Sequence, residues 1–342
     1  TSGSAGSYEL TGSPNGFVSD PITVDYDLVE NYKADVVYFG TVEGGFGNSW
    51  EGKLYRLVTN ADSNSTDPSQ WTAPVIMFNA GKPITSAPTV GSDGENFWVY
   101  FGTGRFFDGK DKSDAGSNAT QAYYGLKEPI NENGDFTWVS ISNSLVTDDS
   151  NASAAAGSRG LLRVDQIQVR AAYFPEQALL SCSSGSCLPT MTDIGTIQNF
   201  SQLVEFIEGT DGWYRALTTD RERNLGQATL LGGALTFTTY QPFDDECQPE
   251  GLYYLYGVYF KTGTGWYEPI FGHDLGKTNE TNPNIIDVLS IGRGLSKTPN
   301  IHVGRQKGAK VFVQTSTGTI LEIEQPILPI VQFKTGRTSW RN

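Results

Sequence analysis

Four stretches of this chain repeat one pattern, and repetition on that scale restricts the fold more than any single motif does. Each opens with a short strand-like run: SDPITVD (19–25), SAPTVG (86–91), QATLLGG (227–233) and TPNIHVG (298–304). A second run follows, VVYFGT (36–41), WVYFGT (98–103), LTFTT (235–239) or VFVQT (311–315). A third closes the unit as GKLYRL (52–57), AYYGLK (122–127), YLYGVY (254–259) or GTILEI (318–323). Aromatic and β-branched runs bounded by Gly, Pro and Ser predict antiparallel strands, at least three to a unit. The unit starts lie 67, 141 and 71 residues apart, so the long gap has room for one degenerate copy.

Sheets repeated about an axis bury both faces against their neighbours, which is the architecture of a β-propeller. The expectation is an all-β, quinoprotein-like β-propeller of roughly seven irregular blades, forming a single domain over 1–342, with loop insertions and a short helix. A β-sandwich is the alternative. Residues 252–267, LYYLYGVYFKTGTGWY, match the outer part of a quinoprotein-type blade, or else a plain strand and turn with an exposed Trp266. Apolar spacing at Leu203, Phe206 and Ile207 predicts one helix within an interblade insertion over 182–212. The Ala-, Ser- and Gly-rich stretch 148–160 is expected to be a flexible loop.

The formal net charge of −14, with no Lys/Arg run to offset it, opposes a phosphate backbone, so nucleic acid is excluded as a partner. No apolar run reaches the length of a membrane span, so no transmembrane segment is expected. The glycines at 44–47 and 102–104 lack the Lys-Ser/Thr of a phosphate loop and read as turn residues. With only His273 and His302, a Ser/His/Asp triad has few members to draw on, and both histidines are expected to be structural. Cys182 and Cys187 flank a four-residue turn, a spacing that a disulfide can close in an oxidising compartment, which leaves Cys247 as a buried thiol.

Several runs together resemble the C-terminal β-propeller of PilY-type (PilC/PilY family) type IV pilus tip-associated proteins. They are TVDYDLVENYKADVVYFGTVEG (23–44), SAPTVGSDGENFWVYFGTGRFFDG (86–109), residues 211–251 from DGWY to CQPEG, and VFVQTSTGTILEIEQ (311–325), with KTGRTSWRN (334–342) at the end. The resemblance implies a protein exported through the periplasm of a Gram-negative bacterium to the pilus tip or outer-membrane surface. There it acts in pilus biogenesis and extension, touches minor pilins, and attaches to a host or abiotic surface. The large N-terminal region usual in that family does not precede Thr1, so the chain is expected to be the propeller alone.

Asp25, Asp27 and Asp35 bracket the hairpin between the first two runs, and carboxylates gathered on one turn suit a hard Ca²⁺ ion. In the resembling family this hairpin often carries an Asp-x-Asp calcium loop whose last Asp falls eight positions after the first. Here it falls ten positions on, Leu28 and Val29 occupy the middle, and the central glycine is missing, so a plain solvated hairpin is the competing reading. Asp108, Asp111 and Asp114 form a second acidic stretch, expected to be a solvated loop. Arg221, Glu222 and Arg223 are expected to form a structural ion-pair cluster next to Trp213 and Tyr214, the alternative being that they face a partner protein. The overall expectation is a binding module and not an enzyme; the alternatives are a quinoprotein-type dehydrogenase and a structural surface-filament subunit.

Overall fold

A computed structural model describes residues 16–26, 34–45, 49–59, 68–113, 119–183, 185–243, 251–272, 283–294, 298–304, 308–314, 320–325 and 328. The first repeat forms one antiparallel sheet of β1 (Phe17–Val18), β2 (Ile22–Val24), β3 (Val36–Val42), β4 (Lys53–Val58) and β5 (Val75–Asn79). Phe17 pairs with Val42 and Ile22 with Tyr38, so β1 and β2 are two pieces of one innermost strand. The interruption falls at Pro21, which has no N–H to give to a ladder.

The second repeat supplies β6 (Thr89–Ser92), β7 (Phe97–Gly102) and β8 (Ala122–Lys127). A long excursion then carries β9 (Leu145–Val146), β10 (Leu161–Arg163), β11 (Ile167–Val169), β12 (Leu180–Cys182), β13 (Thr190–Met191), β14 (Gly195–Thr196) and the helix α1 (Phe200–Glu208). It returns as β15 (Gly212–Ala216), antiparallel to β8, with β10 and β9 added in parallel to give the order β6-β7-β8-β15-β10-β9. The third repeat contains β16 (Arg223–Asn224), β17 (Thr229–Leu231), β18 (Ala234–Pro242), β19 (Gly251–Tyr259) and β20 (Val288–Arg293). The fourth is β21 (Asn300–Gly304), β22 (Gly308–Gln314) and β23 (Ile320–Gln325). Each repeat therefore forms its own antiparallel core of three strands, in the order expected. The turn from β17 to β18 is Gly232-Gly233, both with φ in the left-handed range (55° and 86°), as the tightest hairpin connection requires.

Among the described residues the long gap between the second and third repeats places no sheet between β6 and β17; its two small sheets, β11-β12 and β13-β14, belong to the excursion. Thr89 Oγ1 donates to Ala228 O at 2.8 Å, and Gln227 Nε2 donates to Pro88 O at 2.8 Å, so β6 lies directly beside β17. At the equivalent position Thr229 Oγ1 donates to Pro299 O at 2.6 Å, which sets β17 beside β21. The excursion builds outward from β8 and does not add a copy to the series.

Strands β7 and β8 are buried on both faces, which explains why they read as unbroken apolar runs. Val99, Phe101, Ala122 and Tyr124 pack with Val36, Tyr38, Leu54 and Phe78 of the first sheet. Their strand neighbours Trp98, Tyr100 and Tyr123 pack with Leu235, Phe237, Tyr256 and Val258 of the third. Helix α1 buries Phe200, Leu203, Phe206 and Ile207 in this second core. Asn199 caps its N-terminus, and Lys127 Nζ donates to the carbonyls of Ile207 and Glu208 at its C-terminal end. Leu255 and Phe271 meet Val311 and Val313 in a smaller cluster with the fourth sheet.

One loop expectation changes in detail. Trp266 is buried, not exposed, with its ring 4.3 Å from that of Tyr259 and 5.2 Å from that of Phe200. The stretch 148–160 contains a 3₁₀ turn capped by Asp148, and the N–H groups of Gly157 and Gly160 donate to the carboxylate of Asp211 at 2.7 and 2.9 Å. Among the described residues the fold is all-β apart from α1 and short 3₁₀ turns, with sheets succeeding one another in a propeller-like manner.

Candidate functional site

The hairpin from β2 to β3 is pinned at its base. Val24 pairs with Val36, Asp35 N–H donates to Val24 O at 2.8 Å, and Asp35 Oδ2 accepts the N–H of Tyr26 at 2.7 Å. Thr59 N–H in turn donates to Asp35 O at 2.8 Å. Asp25 and Asp35 therefore stand at the two ends of one turn, while Asp27 lies outside the described residues. Carboxylates are the donor type that Ca²⁺ takes, but Asp35 already commits one oxygen to closing the hairpin. Among the described residues no three of His, Cys, Asp and Glu gather as a metal set.

Below this hairpin is a feature that the sequence reading missed. Tyr26, flanked by Asp25 and Asp27, turns its ring into the junction of the first two sheets, 4.2 Å from Phe97 and 4.8 Å from Phe136. Its hydroxyl lies 2.6 Å from that of Tyr38, and Tyr38 donates to Glu128 Oε2 at 2.9 Å. Glu128 is ion-paired with Arg56, and both side chains are fully buried. Arg56 Nη2 also reaches Val139 O at 3.3 Å, and its guanidinium lies 5.2 Å from the Trp138 ring. Burial pushes the Glu128 carboxyl up to about 7 against the opposing pull of Arg56 and the Tyr38 hydroxyl. Burial also raises both tyrosines well above their usual range. The only local hint was a charge inside each of two aromatic strands, the Arg of KLYRLV and the Lys-Glu that ends AYYGLKE.

The second acidic stretch is not a solvated loop at Asp111. That side chain is fully buried, paired with Arg105, and accepts the N–H groups of Phe107 and Asp108 at 2.8 and 3.0 Å. Arg105 also lies over the Trp50 ring at 3.8 Å. Asp108 caps the 3₁₀ turn Gly109–Lys112, and Asp114 is outside the described residues. The segment 221–223 is structural, as expected, but its partners are not Trp213 and Tyr214. Arg223 Nη1 donates to Arg105 O at 2.7 Å, and burial lowers it to about 10. Glu222 Oε1 accepts from Tyr256 and Thr239 at 2.6 and 2.5 Å.

Cys182 and Cys187 lie within disulfide distance, their Cα atoms 5.7 Å apart. Cys247 and His273 lie outside the described residues, and His302 sits on β21 with its ring edge-on to Phe312. Among the described residues no helix is long and apolar enough to cross a membrane.

Neither the family models nor the curated proteins give a match to the sequence. Solved structures do: the chain superposes on the C-terminal domain of PilY1 from Pseudomonas aeruginosa with a TM-score of 0.57 at 17% identity. The match covers 94% of this chain but 63% of that one, so the chain spans less than two thirds of the solved structure. An alignment this complete at so low an identity speaks to fold alone, and the resemblance drawn from the repeats holds at that level: the chain is similar in fold to the PilY1 C-terminal domain.

Proposed function

We propose that this chain is a non-enzymatic binding scaffold of the type IV pilus system, a tip-associated biogenesis factor and adhesin. The observation that carries this reading is the fold likeness to the PilY1 C-terminal domain across nearly the whole chain. Rigid, doubly buried sheets that end in many loops suit a protein that works by presenting loop surfaces to partners. The partners in this reading are minor pilins at the pilus tip and a host or abiotic surface, reached by export through the periplasm of a Gram-negative bacterium. In this reading the chain is itself one domain, a propeller of roughly seven irregular blades.

Calcium modulation belongs to the same proposal, with Asp25, Asp27 and Asp35 as the ligand carboxylates. Calorimetric titration of Ca²⁺ should give binding heat with the wild type and none with Asp25→Ala plus Asp27→Ala; equal heats from both would remove the site. The pilus role is tested by counting surface pili after deletion of the gene. Loss of pili, restored by the intact gene, supports the reading, and unchanged piliation defeats it.

A further inference from the structure

We infer that Tyr26, Tyr38, Glu128 and Arg56 form a latch that ties the base of the 25–35 hairpin to the Trp138 loop across the junction of the first two sheets. The chain of contacts is continuous and buried. It begins where Asp35 holds the Tyr26 N–H, passes through the paired hydroxyls of Tyr26 and Tyr38 to Glu128, and ends where Arg56 grips Val139 O and faces Trp138.

Direction comes from the donor inventory. An ionised carboxylate only accepts, so Tyr38 must donate to Glu128, and Tyr26 must then donate to Tyr38. Each link orients the next, and removing the acceptor frees two hydroxyls at once. A coupling claim also needs an element with two available arrangements. The residue whose backbone depends on its neighbours is Trp138: its φ of 55° is an outlier for a bulky residue, such backbone persists only where its surroundings hold it, and a second, relaxed arrangement of Trp138 is part of the inference. Those surroundings are Arg56 beside it and the stacked rings of Phe136 and Tyr26, at 4.6 and 6.4 Å. Release of Arg56 lets Trp138 relax, and a shift of Trp138 disturbs the ring of Tyr26. Nothing in this chain of contacts requires a bound ion, so the latch stands or falls independently of the calcium reading.

The test is amide hydrogen exchange of the full chain at pH 8 with EDTA present, comparing wild type with Glu128→Gln, Tyr38→Phe and Tyr26→Phe. In peptides covering 19–26 and 34–42 the latch predicts about tenfold faster exchange or more for Tyr38→Phe, which loses a hydrogen bond to a charged acceptor, and a smaller acceleration for Tyr26→Phe, which loses a neutral one. Peptides covering β18 and β19 should be unchanged. Reciprocity supplies a second arm: Asp35→Ala, which removes the acceptor of the Tyr26 N–H, should alter the near-ultraviolet circular dichroism assigned to Trp138 by difference with Trp138→Phe. Unchanged hairpin exchange in the two tyrosine variants overturns the latch, even if Glu128→Gln fails to fold. Acceleration of equal size in β18 and β19 also overturns it, because that is general loosening and not a directed link.

Discussion

Arg56 and Glu128 lie 72 residues apart in sequence, both fully buried, Arg56 within β4 and Glu128 directly after β8. A buried pair of this kind adds little over an apolar isostere, but breaking it is costly because one charge is left without a partner. Arg56→Met should therefore destabilise the fold by about 3–5 kcal/mol at pH 8 in urea titrations. The cost should shrink at pH 5.5, where Glu128 carries its proton and needs no counter-charge. The wild type follows the same sign. A folded-state pKa raised to about 7 contributes stability that is full below the ordinary carboxylate range and lost as pH rises through 7. The melting midpoint should accordingly fall between pH 6 and pH 8, and Glu128→Gln should flatten that slope; an unaltered slope would assign the titration elsewhere. At this scale the sequence was least informative. Asp111 looked like loop acid because its partner Arg105 is fixed only by the folded turn, and Glu128 gave no hint of its partner because nothing local encodes a contact across two sheets.

At the level of strands and turns the sequence was most informative. The three strands of each repeat were legible because aromatic and β-branched runs alternate with Gly and Pro, and because a strand buried on both faces writes an unbroken apolar string. The strands from β9 to β15 were illegible, although α1 between them was not, for the opposite reason: they are two to five residues long, too short to carry a period. The 141-residue spacing suggested a hidden repeat, whereas Thr89 joins β6 to β17 directly across it, as Thr229 joins β17 to β21 at the next junction. Those two bonds are equivalent in register, so their loss should be equivalent in effect. Thr89→Val and Thr229→Val should each cost about 1 kcal/mol, add in the double variant, and exceed the near-zero cost of Thr23→Val at an exposed position of β2. A purely additive result supports independent links between neighbouring sheets, while a strongly non-additive one shows that the inner strands move together. The Cys182–Cys187 turn is similarly local: replacing both with serine should cost about 2 kcal/mol by the loop-entropy argument, with an intact-mass difference confirming the bond beforehand.

Across the whole molecule burial is uneven, and that gradient bears on which parts open first. The second and third sheets share the largest core, where the rings of Tyr123, Phe237 and Tyr256 stack at 3.7 and 4.8 Å. The fourth sheet meets its neighbour through the small cluster around Val311 and Val313. Its outer strand β23 alternates exposed and half-buried residues over most of its length, with Glu322 and Glu324 on the exposed side. Local opening should follow this order, because the free energy of opening a segment tracks the apolar contacts it must give up. Phe237→Ala, which removes the middle ring of the stack, should cost about 3–5 kcal/mol and destabilise the protein as a unit. Val311→Ala should cost less and act mainly on the fourth sheet. Amide exchange across the chain should accordingly show β7, β8, β18 and β19 as the slowest group and β21 to β23 as the fastest of the repeat strands. Equal protection in all four sheets would mean that they unfold as one cooperative body. The expected gradient means instead that the fourth sheet, held by the small cluster around Val311 and Val313, opens separately from the centre built on Tyr123, Phe237 and Tyr256.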